Sequence, residues 1–269
     1  MRRPVKSKKF KLAKNIFNTV LILAILIIGY SIISSKLKPV AVKSTPIPTT
    51  GSENPRPWKP IESYEVHGID VSWWQGEIDW ETLATADIHF VFMKATEAVT
   101  LQDKQFKYNW EQAQKHNLFV GAYHFLNFNS SGVEQAQNFI NTVPKTKNML
   151  PPVVDIEFDL LTVLPEDEVA NQIIEDTITT IEKHYGVKPI LYVNYESYDR
   201  YIRGKYLDHH IWICDINQDP NISDKRLWTF WQHSHTGKLP GIGDGKGDVD
   251  LNVYYGTYQE FLQEFGLGE

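Results

Sequence analysis

The chain has 269 residues, of which 42% are hydrophobic, 22% charged and 13% aromatic, a composition typical of a folded globular protein. The net charge of −6 combines a basic head, with seven Lys and Arg residues in positions 1–16, and a remainder that holds 20 basic and 33 acidic residues. Such an acidic body excludes nucleic acid as a partner, and the single cysteine excludes an internal disulfide.

An apolar segment follows the basic head. Residues 17–33 are apolar apart from five positions, and this length can cross a bilayer. Basic residues before the segment and polar residues after it predict a cytoplasmic N-terminus, with everything downstream outside. A cleaved signal peptide is the alternative, but the run is long for one and no small-x-small cleavage site follows it. We therefore predict a transmembrane anchor at residues 17–35 in a single-pass membrane protein.

Residues 36–63 form the next segment, which is rich in Pro, Ser and Thr and contains six prolines. A segment of this composition cannot bury a core and behaves as an extended spacer. We predict that it separates the membrane from a single folded domain at residues 64–269.

The predicted domain alternates short apolar runs with helical patterns. The runs predict strands at residues 66–73, 88–95, 118–125, 153–157, 189–194, 210–216, 228–233 and 249–253. Helices are predicted at residues 79–86, 104–117, 132–142 and 165–186, and the helical patterns fade after the fifth strand. Such alternation favours a parallel sheet, and in a closed barrel of this class the active groups lie at the carboxyl ends of the strands.

Two acids end the fourth predicted strand. Side chains alternate across a strand, so Asp155 and Glu157 point to one side while Ile156 points to the other. Two carboxyl groups this close cannot ionise alike, because the charge of one disfavours the charge of the other. One held proton and one retained charge suit a carboxyl pair that acts on a glycosidic bond. The alternative is a strand end whose acids are solvated or cap a following helix.

Two further acids interrupt strands that otherwise read as core, namely Asp70 in the first strand and Asp250 in the last. For either acid alone, the alternative is a carboxylate at a strand end whose hydrogen bonds are satisfied. Three strands that each end in an acid nevertheless suit a barrel that gathers them at one opening, and we predict that the four acids converge there.

Aromatic residues cluster near the same strand ends, namely Trp73, Trp74, Tyr123, Phe125, Tyr192, Tyr195, Trp212 and Trp231. Sugar rings stack their C–H faces on aromatic planes, so these residues are candidates for a glycan groove, although core packing explains many aromatic residues equally well. The candidates for substrate binding are Tyr123, Phe125, Tyr192, Tyr195, Trp212, Trp231 and the neighbouring Gln232. Cys214 lies in an apolar run and is expected to be a buried, inert thiol.

No cofactor is predicted. A metal site made of Asp70, Asp155, Glu157 and His124 is the alternative, but no pair of histidines has metal-ligand spacing, and His124 is expected to be structural. The chain also has no phosphate-binding glycine loop and no nucleophile elbow in a strand-turn-helix setting.

Five motifs, in this order, resemble glycoside hydrolase family 25, the lysozymes or N-acetylmuramidases. They are Gly68-Ile69-Asp70-Val71-Ser72, Gly121-Ala122-Tyr123-His124-Phe125, Val154-Asp155-Ile156-Glu157, Trp231-Gln232 and Val249-Asp250-Leu251-Asn252, and the resemblance covers about residues 64–265. It implies an α/β, TIM-like barrel with an incomplete helical ring, about (β/α)5(β)3. It also implies cleavage of the β-1,4 bond between N-acetylmuramic acid and N-acetylglucosamine. Under this resemblance Glu157 is the general acid, Asp155 its charged neighbour, and Asp70 and Asp250 supporting acids.

The sequence thus predicts a membrane-anchored peptidoglycan hydrolase whose catalytic domain faces the cell wall. Its partners would be peptidoglycan glycan strands and, through the N-terminal helix, the membrane. Two alternatives remain open: a glycosidase acting on another N-acetylated glycan such as chitin, and a non-catalytic domain that binds cell-wall glycans.

Overall fold

The computed structural model describes residues 59–158 and 163–268. Its strands are β1 (Val66–Val71), β2 (Phe90–Glu97), β3 (Leu101–Gln102), β4 (Phe119–Phe125), β5 (Val153–Ile156), β6 (Ile190–Val193), β7 (Ile211–Cys214), β8 (Phe230–Gly237) and β9 (Val249–Tyr254). Its helices are α1 (Trp80–Leu83), α2 (Phe106–Lys115), α3 (Gly132–Thr142), α4 (Asp167–Tyr185), α5 (Tyr195–Ser197) and α6 (Tyr258–Phe265). Each of the eight predicted strands is present, within a few residues of its predicted bounds.

Eight of the strands close into a barrel. Their order is β1-β9-β8-β7-β6-β5-β4-β2, and pairing of β2 with β1 completes the ring, while the short β3 pairs with the end of β2. Helices follow β1, β2, β4, β5 and β6, which confirms the predicted TIM-like barrel with an incomplete helical ring. The expectation of a wholly parallel sheet was wrong for β9, which runs antiparallel to both β8 and β1.

The barrel strands bury residues on both faces. Between strands and helices lies a core that includes Ile69, Ile156 and Ile213. A second core fills the barrel interior, where the rings of Phe92 and Trp212 stack with centroids 4.5 Å apart. Strands that are buried on both sides read as continuous apolar runs, and this pattern made them recognisable in the sequence.

A final helix, α6, closes the lower end of the barrel and was not predicted. Thr257 caps it, and its Phe261 ring lies 5.8 Å from Phe90 and 6.5 Å from Phe230, measured between centroids. Phe90 and Phe230 begin their strands, so α6 covers the end where the parallel strands start. This placement leaves the carboxyl ends of the strands open on the opposite side.

The N-terminal predictions lie largely outside the described residues. The basic head, the apolar segment 17–35 and the linker as far as residue 58 are not described, and none of the helices in residues 59–158 and 163–268 is long and apolar enough to cross a membrane. At the end of the predicted linker, Lys59 Nζ lies 4.1 Å from the Tyr64 ring centroid and donates a hydrogen bond to the Tyr255 carbonyl at 3.3 Å.

Candidate active site at the carboxyl end of the barrel

A cavity of about 400 Å³ opens at the carboxyl ends of the parallel strands. All four predicted acids line it: Asp70 from β1, Asp155 from β5, Glu157 directly after β5 and Asp250 from β9. The other lining residues are Ser72, Trp74, Gln75, Lys94, Tyr123, Phe125, Tyr192, Trp212, Cys214, Gln232, His235 and Asp248. The barrel therefore brings together the acids that the sequence places on three separate strands.

Strand alternation accounts for the positions of Asp155 and Glu157. Ile156, between them, is fully buried in the core under the helices, while its two acidic neighbours face the cavity. Asp155 is paired in register with Phe125 of β4 and Tyr192 of β6, so it is held at the centre of the sheet. The two carboxyl groups thus share one wall of the cavity, as predicted.

Asp155 is buried in this wall. Burial and, second, the nearby charge of Glu157 raise its pKa well above the usual range, while the positive charge of Lys94 acts in the opposite direction. Its Oδ1 atom is buried and receives no hydrogen bond from the described residues. A buried acceptor without a donor is costly, so Oδ1 is the atom of this site most in need of a hydrogen-bond donor.

Asp70 and Asp250 form the second acidic pair. They are directly opposed in the antiparallel pairing of β1 and β9, and their carboxyl groups hydrogen-bond each other. Burial, followed by the charge of Asp250, raises the pKa of Asp70 to about 8. Burial also raises the pKa of Asp250, to about 6. The pair consequently retains a proton at pH values where ordinary carboxyl groups are ionised.

Two amides fix the orientation of Asp70. Gln232 Nε2 and Asn252 Nδ2 each donate to Asp70 Oδ2, at 2.8 Å in both cases. The amide oxygens face other donors: Tyr192 OH donates to Gln232 Oε1 at 2.8 Å, and Trp212 Nε1 donates to Asn252 Oδ1 at 2.8 Å. Because each amide oxygen is already occupied, each amide nitrogen must face Asp70. Tyr192 and Trp212 therefore orient Asp70 through these two amides.

Four of the six predicted aromatic residues line the cavity: Tyr123, Phe125, Tyr192 and Trp212. Trp231 does not. It follows Phe230 and precedes Gln232 on β8, so it points to the opposite face, where its ring packs in the outer core and its Nε1 donates to the Asp215 carbonyl at 2.7 Å. Tyr195 also lies outside the lining, since its OH donates to Asp215 Oδ2 at 2.8 Å. The assignment of Trp231 and Tyr195 to the groove is corrected accordingly.

Cys214 is placed differently from the expectation. It lines the cavity and is only partly buried, with Sγ 3.6 Å from His235 Nε2. Burial nonetheless raises the pKa of its thiol to about 12, which keeps it protonated and a poor nucleophile. The expected core position was wrong. The prediction was based on the apolar run Ile211–Cys214, in which side chains alternate between the outer core and the barrel interior that leads to the cavity.

Lys94 is a cavity residue that the sequence did not lead us to assign, whereas Trp74 belongs to the predicted aromatic cluster but not to the predicted substrate-binding residues. Lys94 Nζ lies 2.7 Å from Glu97 Oε2 and 4.7 Å from the Phe125 ring centroid. A charged residue within an otherwise apolar strand was a usable signal, equivalent to the one that identified Asp70. Trp74 sits in the turn after β1 and lines the cavity, whereas its predicted neighbour in the cluster, Trp73, does not.

His124 is structural. It is fully buried, its Nδ1 lies 2.7 Å from Thr96 Oγ1, and its Nε2 lies 3.2 Å from Gln135 Oε1. Burial lowers its pKa to about 4, so the ring is neutral. Within the described ranges, no cluster of three or more His, Cys, Asp or Glu residues has the geometry to hold a metal ion.

Comparisons with known proteins identify relatives of this barrel. The model for "Glycosyl hydrolases family 25" matches residues 69–242. The solved structure of a family 25 glycosyl hydrolase from Bacillus anthracis is 43% identical, covers 81% of this chain and 100% of its own, and superposes with a TM-score of 0.73.

Two further relatives each match 76% of this chain. Protein YegX of Escherichia coli K12 is 36% identical over 208 residues, which are 76% of this chain and 74% of YegX. Lysozyme M1 of Streptomyces globisporus is 29% identical over 216 residues, which are 76% of this chain and 72% of that lysozyme.

Proposed function

The chain belongs to glycosyl hydrolase family 25, and we propose that it hydrolyses peptidoglycan by a substrate-assisted route with net retention at the anomeric carbon. It is a glycoside hydrolase, and the lysozymes among its relatives support peptidoglycan as the substrate. The bond to be cleaved is the β-1,4 bond between N-acetylmuramic acid and N-acetylglucosamine. Glu157, Asp155, Asp70 and Asp250 are the residues that we assign to the reaction.

The observation that carries this proposal is the state of Asp155. Its Oδ1 atom is buried beside the cavity without a hydrogen-bond donor among residues 59–158 and 163–268, and the carboxyl group shares its strand face with Glu157. The N–H of a substrate N-acetyl group is a donor of the required kind. A hydrogen bond from that N–H to Asp155 satisfies the buried oxygen and directs the acetyl carbonyl oxygen towards the anomeric carbon.

In the first step, Glu157 gives its proton to the glycosidic oxygen as the bond from this oxygen to the anomeric carbon breaks. The acetyl carbonyl oxygen forms a new bond to the same carbon, and the resulting positive charge is spread over the acetamido group. Asp155, as an anion hydrogen-bonded to the N–H, stabilises this charge. Both enzyme acids lie on one strand face, so the attack comes from the substrate and not from a carboxylate across the ring.

In the second step, Glu157 as a carboxylate takes a proton from water while the water oxygen attacks the anomeric carbon. The bond from the acetyl oxygen to that carbon breaks, and the N-acetyl group is restored. Two successive inversions leave the configuration retained. Substrate-assisted families are known exceptions to the scheme with two carboxyl groups and an enzyme nucleophile.

Substrate binding changes which acid holds the proton. In the free enzyme, burial and, second, the charge of Glu157 raise the pKa of Asp155 well above the usual range, which favours a proton on Asp155. The positive charge of Lys94 and the incoming N–H both favour the anionic form of Asp155. The proton is then left on Glu157, where the leaving oxygen needs it.

One experiment separates this function from its alternatives. Full-length protein is incubated with peptidoglycan and with chitin, and the new reducing ends are identified after borohydride reduction. We expect reduced N-acetylmuramic acid from peptidoglycan. Release from chitin alone would indicate the other glycosidase, and binding without release would indicate a non-catalytic glycan-binding domain.

The route is tested on a soluble glycan fragment by NMR during the first turnovers. We expect the β-anomer as the first product. An inverted first product, or a trapped glycosyl ester on Asp70 or Asp155, would overturn the substrate-assisted route while leaving peptidoglycan hydrolysis in place.

The location of the enzyme is part of the proposal. The basic residues at positions 1–16, the apolar run at 17–33 and the proline-rich linker at 36–63 support an enzyme anchored in the cell membrane by one helix. With its N-terminus in the cytoplasm, such an enzyme presents the barrel to the cell wall.

A further inference from the structure

We propose that Trp74 forms a separate sugar-stacking subsite, which holds a second ring of the glycan strand beside the cleavage centre. The inference rests on the proposed function, because it takes the ligand to be the same N-acetylated strand that is cleaved. It assigns a binding role to a residue outside the four acids and outside the aromatic residues buried in the cavity wall.

The exposure of Trp74 is the first observation. Its side chain is 74% exposed, the highest value among the exposed aromatic residues that the structure describes. Unlike the exposed rings of Tyr108 and Tyr258, the indole of Trp74 lines the catalytic cavity. A large apolar side chain left in water at the edge of a ligand cavity gains free energy when a ligand covers it.

The turn that carries Trp74 is the second observation. Ser72 caps it, with Oγ accepting from the Trp74 amide at 3.2 Å, while the Ser72 amide donates to Gln75 Oε1 at 2.9 Å. The Trp73 amide donates to Asp103 Oδ2 at 2.8 Å, which ties the turn to the segment after β3. A ring presented on a fixed backbone loses little conformational entropy when a ligand binds.

The neighbouring residue supports the same ring. The indoles of Trp73 and Trp74 meet at 73° with centroids 5.5 Å apart. Trp73 is in turn contacted by Lys104, whose Nζ lies 4.3 Å from the ring centroid. Trp74 therefore packs edge-to-face on Trp73, and Trp73 is itself contacted by Lys104.

A second recess, of about 170 Å³, connects Trp74 with the catalytic acids. Its wall combines the indole with the polar side chains of Ser72 and Gln75 and reaches Asp70, Tyr123 and Asp250. An apolar plane flanked by a few hydrogen-bonding groups is a suitable surface for a sugar ring, which has C–H faces and hydroxyl edges. Because every lining residue of the recess except Val71 also lines the catalytic cavity, a ring held there belongs to the strand being cleaved.

The subsite is tested by binding, without turnover. In a Glu157→Gln background, the affinity for a peptide-free tetrasaccharide of two N-acetylglucosamine–N-acetylmuramic acid repeats is measured by calorimetry. We expect Trp74→Ala to weaken binding about five- to tenfold, and Trp74→Phe, which keeps an aromatic plane, to stay within about twofold. The matched control is Tyr258→Ala, an exposed ring at the opposite end of the barrel, with unchanged affinity.

Hydrolysis of peptide-free glycan strands gives a second measure in the otherwise wild-type protein. Trp74→Ala should raise KM by about the same factor and leave kcat nearly unchanged, with thermal unfolding as the folding check. The subsite would be overturned if Trp74→Ala bound the tetrasaccharide as tightly as the parent protein. It would also be overturned if Trp74→Phe lost as much affinity as Trp74→Ala. Failure of the wild type to hydrolyse strands, with Trp74-dependent binding intact, would overturn the proposed function and leave the subsite standing.

Discussion

Asp70 and Asp250 face each other across the antiparallel pair of β1 and β9, and their carboxyl groups hydrogen-bond in the wall of the catalytic cavity. Like charges at directly opposed positions of a sheet repel each other. Burial and this repulsion raise the pKa of Asp70, and burial raises that of Asp250, so the pair shares a proton near neutral pH. At neutral pH the pair therefore carries about one negative charge instead of two.

This pair should make stability depend on pH. Each carboxyl group has a higher pKa in the folded protein than the ordinary 3.8, so its stabilising effect is complete below about pH 4. The effect is lost as the pH rises through about 6 for Asp250 and about 8 for Asp70. We expect Asp250→Asn to stabilise the protein by about 1–2 kcal/mol at pH 8 and to give no gain at pH 4.

Thermal unfolding at pH 4, 6 and 8 measures this difference. Asp248→Asn is the control, because Asp248 also lines the cavity but is exposed and paired with Lys238 at 2.6 Å. A stability difference for Asp250→Asn that is the same at pH 4 and pH 8 would contradict the shared proton.

The roles of the four acids predict unequal losses of activity. Glu157→Gln removes the proton donor and Asp155→Asn removes the anion that polarises the acetamido group, so each should reduce kcat by about 100-fold or more. Asp70→Asn and Asp250→Asn should cost less, because these acids support the charge and do not transfer the proton. Initial rates on soluble glycan strands, with circular dichroism to confirm folding, give the order. A larger loss for Asp70→Asn than for Glu157→Gln would reverse our assignment.

Gln232 should act on the reaction through Asp70. Gln232→Leu removes one of the two donors to Asp70 Oδ2, and a hydrogen bond to a charged group contributes about 1.5–3 kcal/mol. The pKa of Asp70 should therefore rise further, by about one unit. The limb of the pH profile of kcat/KM that reports the Asp70–Asp250 pair should move towards alkaline pH. Ser234→Ala, on the same strand, is the control, since within the described residues its hydroxyl accepts a hydrogen bond only from the Thr236 amide.

Cys214 should react slowly with thiol reagents, and modification should inhibit the enzyme. With a pKa of about 12, roughly one thiol in 10⁴ is ionised at pH 8. Alkylation adds bulk to the cavity wall, so activity should fall in parallel with modification, as followed by mass spectrometry. Cys214→Ala should remain active and resist the reagent. Inhibition of Cys214→Ala by the same treatment would place the reactive group elsewhere.

The proposed membrane anchor predicts a defined topology. A reporter domain fused after Lys59 should be active if it requires export, as alkaline phosphatase does, and inactive if it requires the cytoplasm. The protein should stay in the membrane fraction. Deleting residues 17–33 should reverse both results. Recovery of most of the protein as a soluble form beginning near Ser35 would favour the cleaved signal peptide.

The sequence identifies the site acids because a charge within an apolar run is costly in a core strand unless it serves a site. The same reasoning, applied to Lys94, would have identified a further cavity residue. Aromatic residues are less informative, because barrel strands bury them on both faces. Trp231 and Gln232 were assigned to one groove, although neighbours on a strand point to opposite sides and only one of them could line it.

Helix α6 and the antiparallel direction of β9 were not predicted, for different reasons. Tyr258, Phe261, Leu262 and Phe265 repeat at helical spacing, and this signal for α6 was present in the sequence. The antiparallel direction of β9 had no such signal, because it depends on how the chain returns to β1. The connection between β8 and β9, residues 238–248, holds no α-helix and is shorter than the dozen or more residues that a parallel crossover needs.

The pairing of β1 with β9 also determines when the enzyme can become active. The partners are separated by nearly the whole domain, so the first strand cannot be closed into the barrel until the last has been synthesised, which takes roughly 10–40 s at ordinary rates of translation. Asp70 and Asp250 lie on these two strands and meet only on closure. A chain that has not yet been synthesised through β9 thus has no complete catalytic centre.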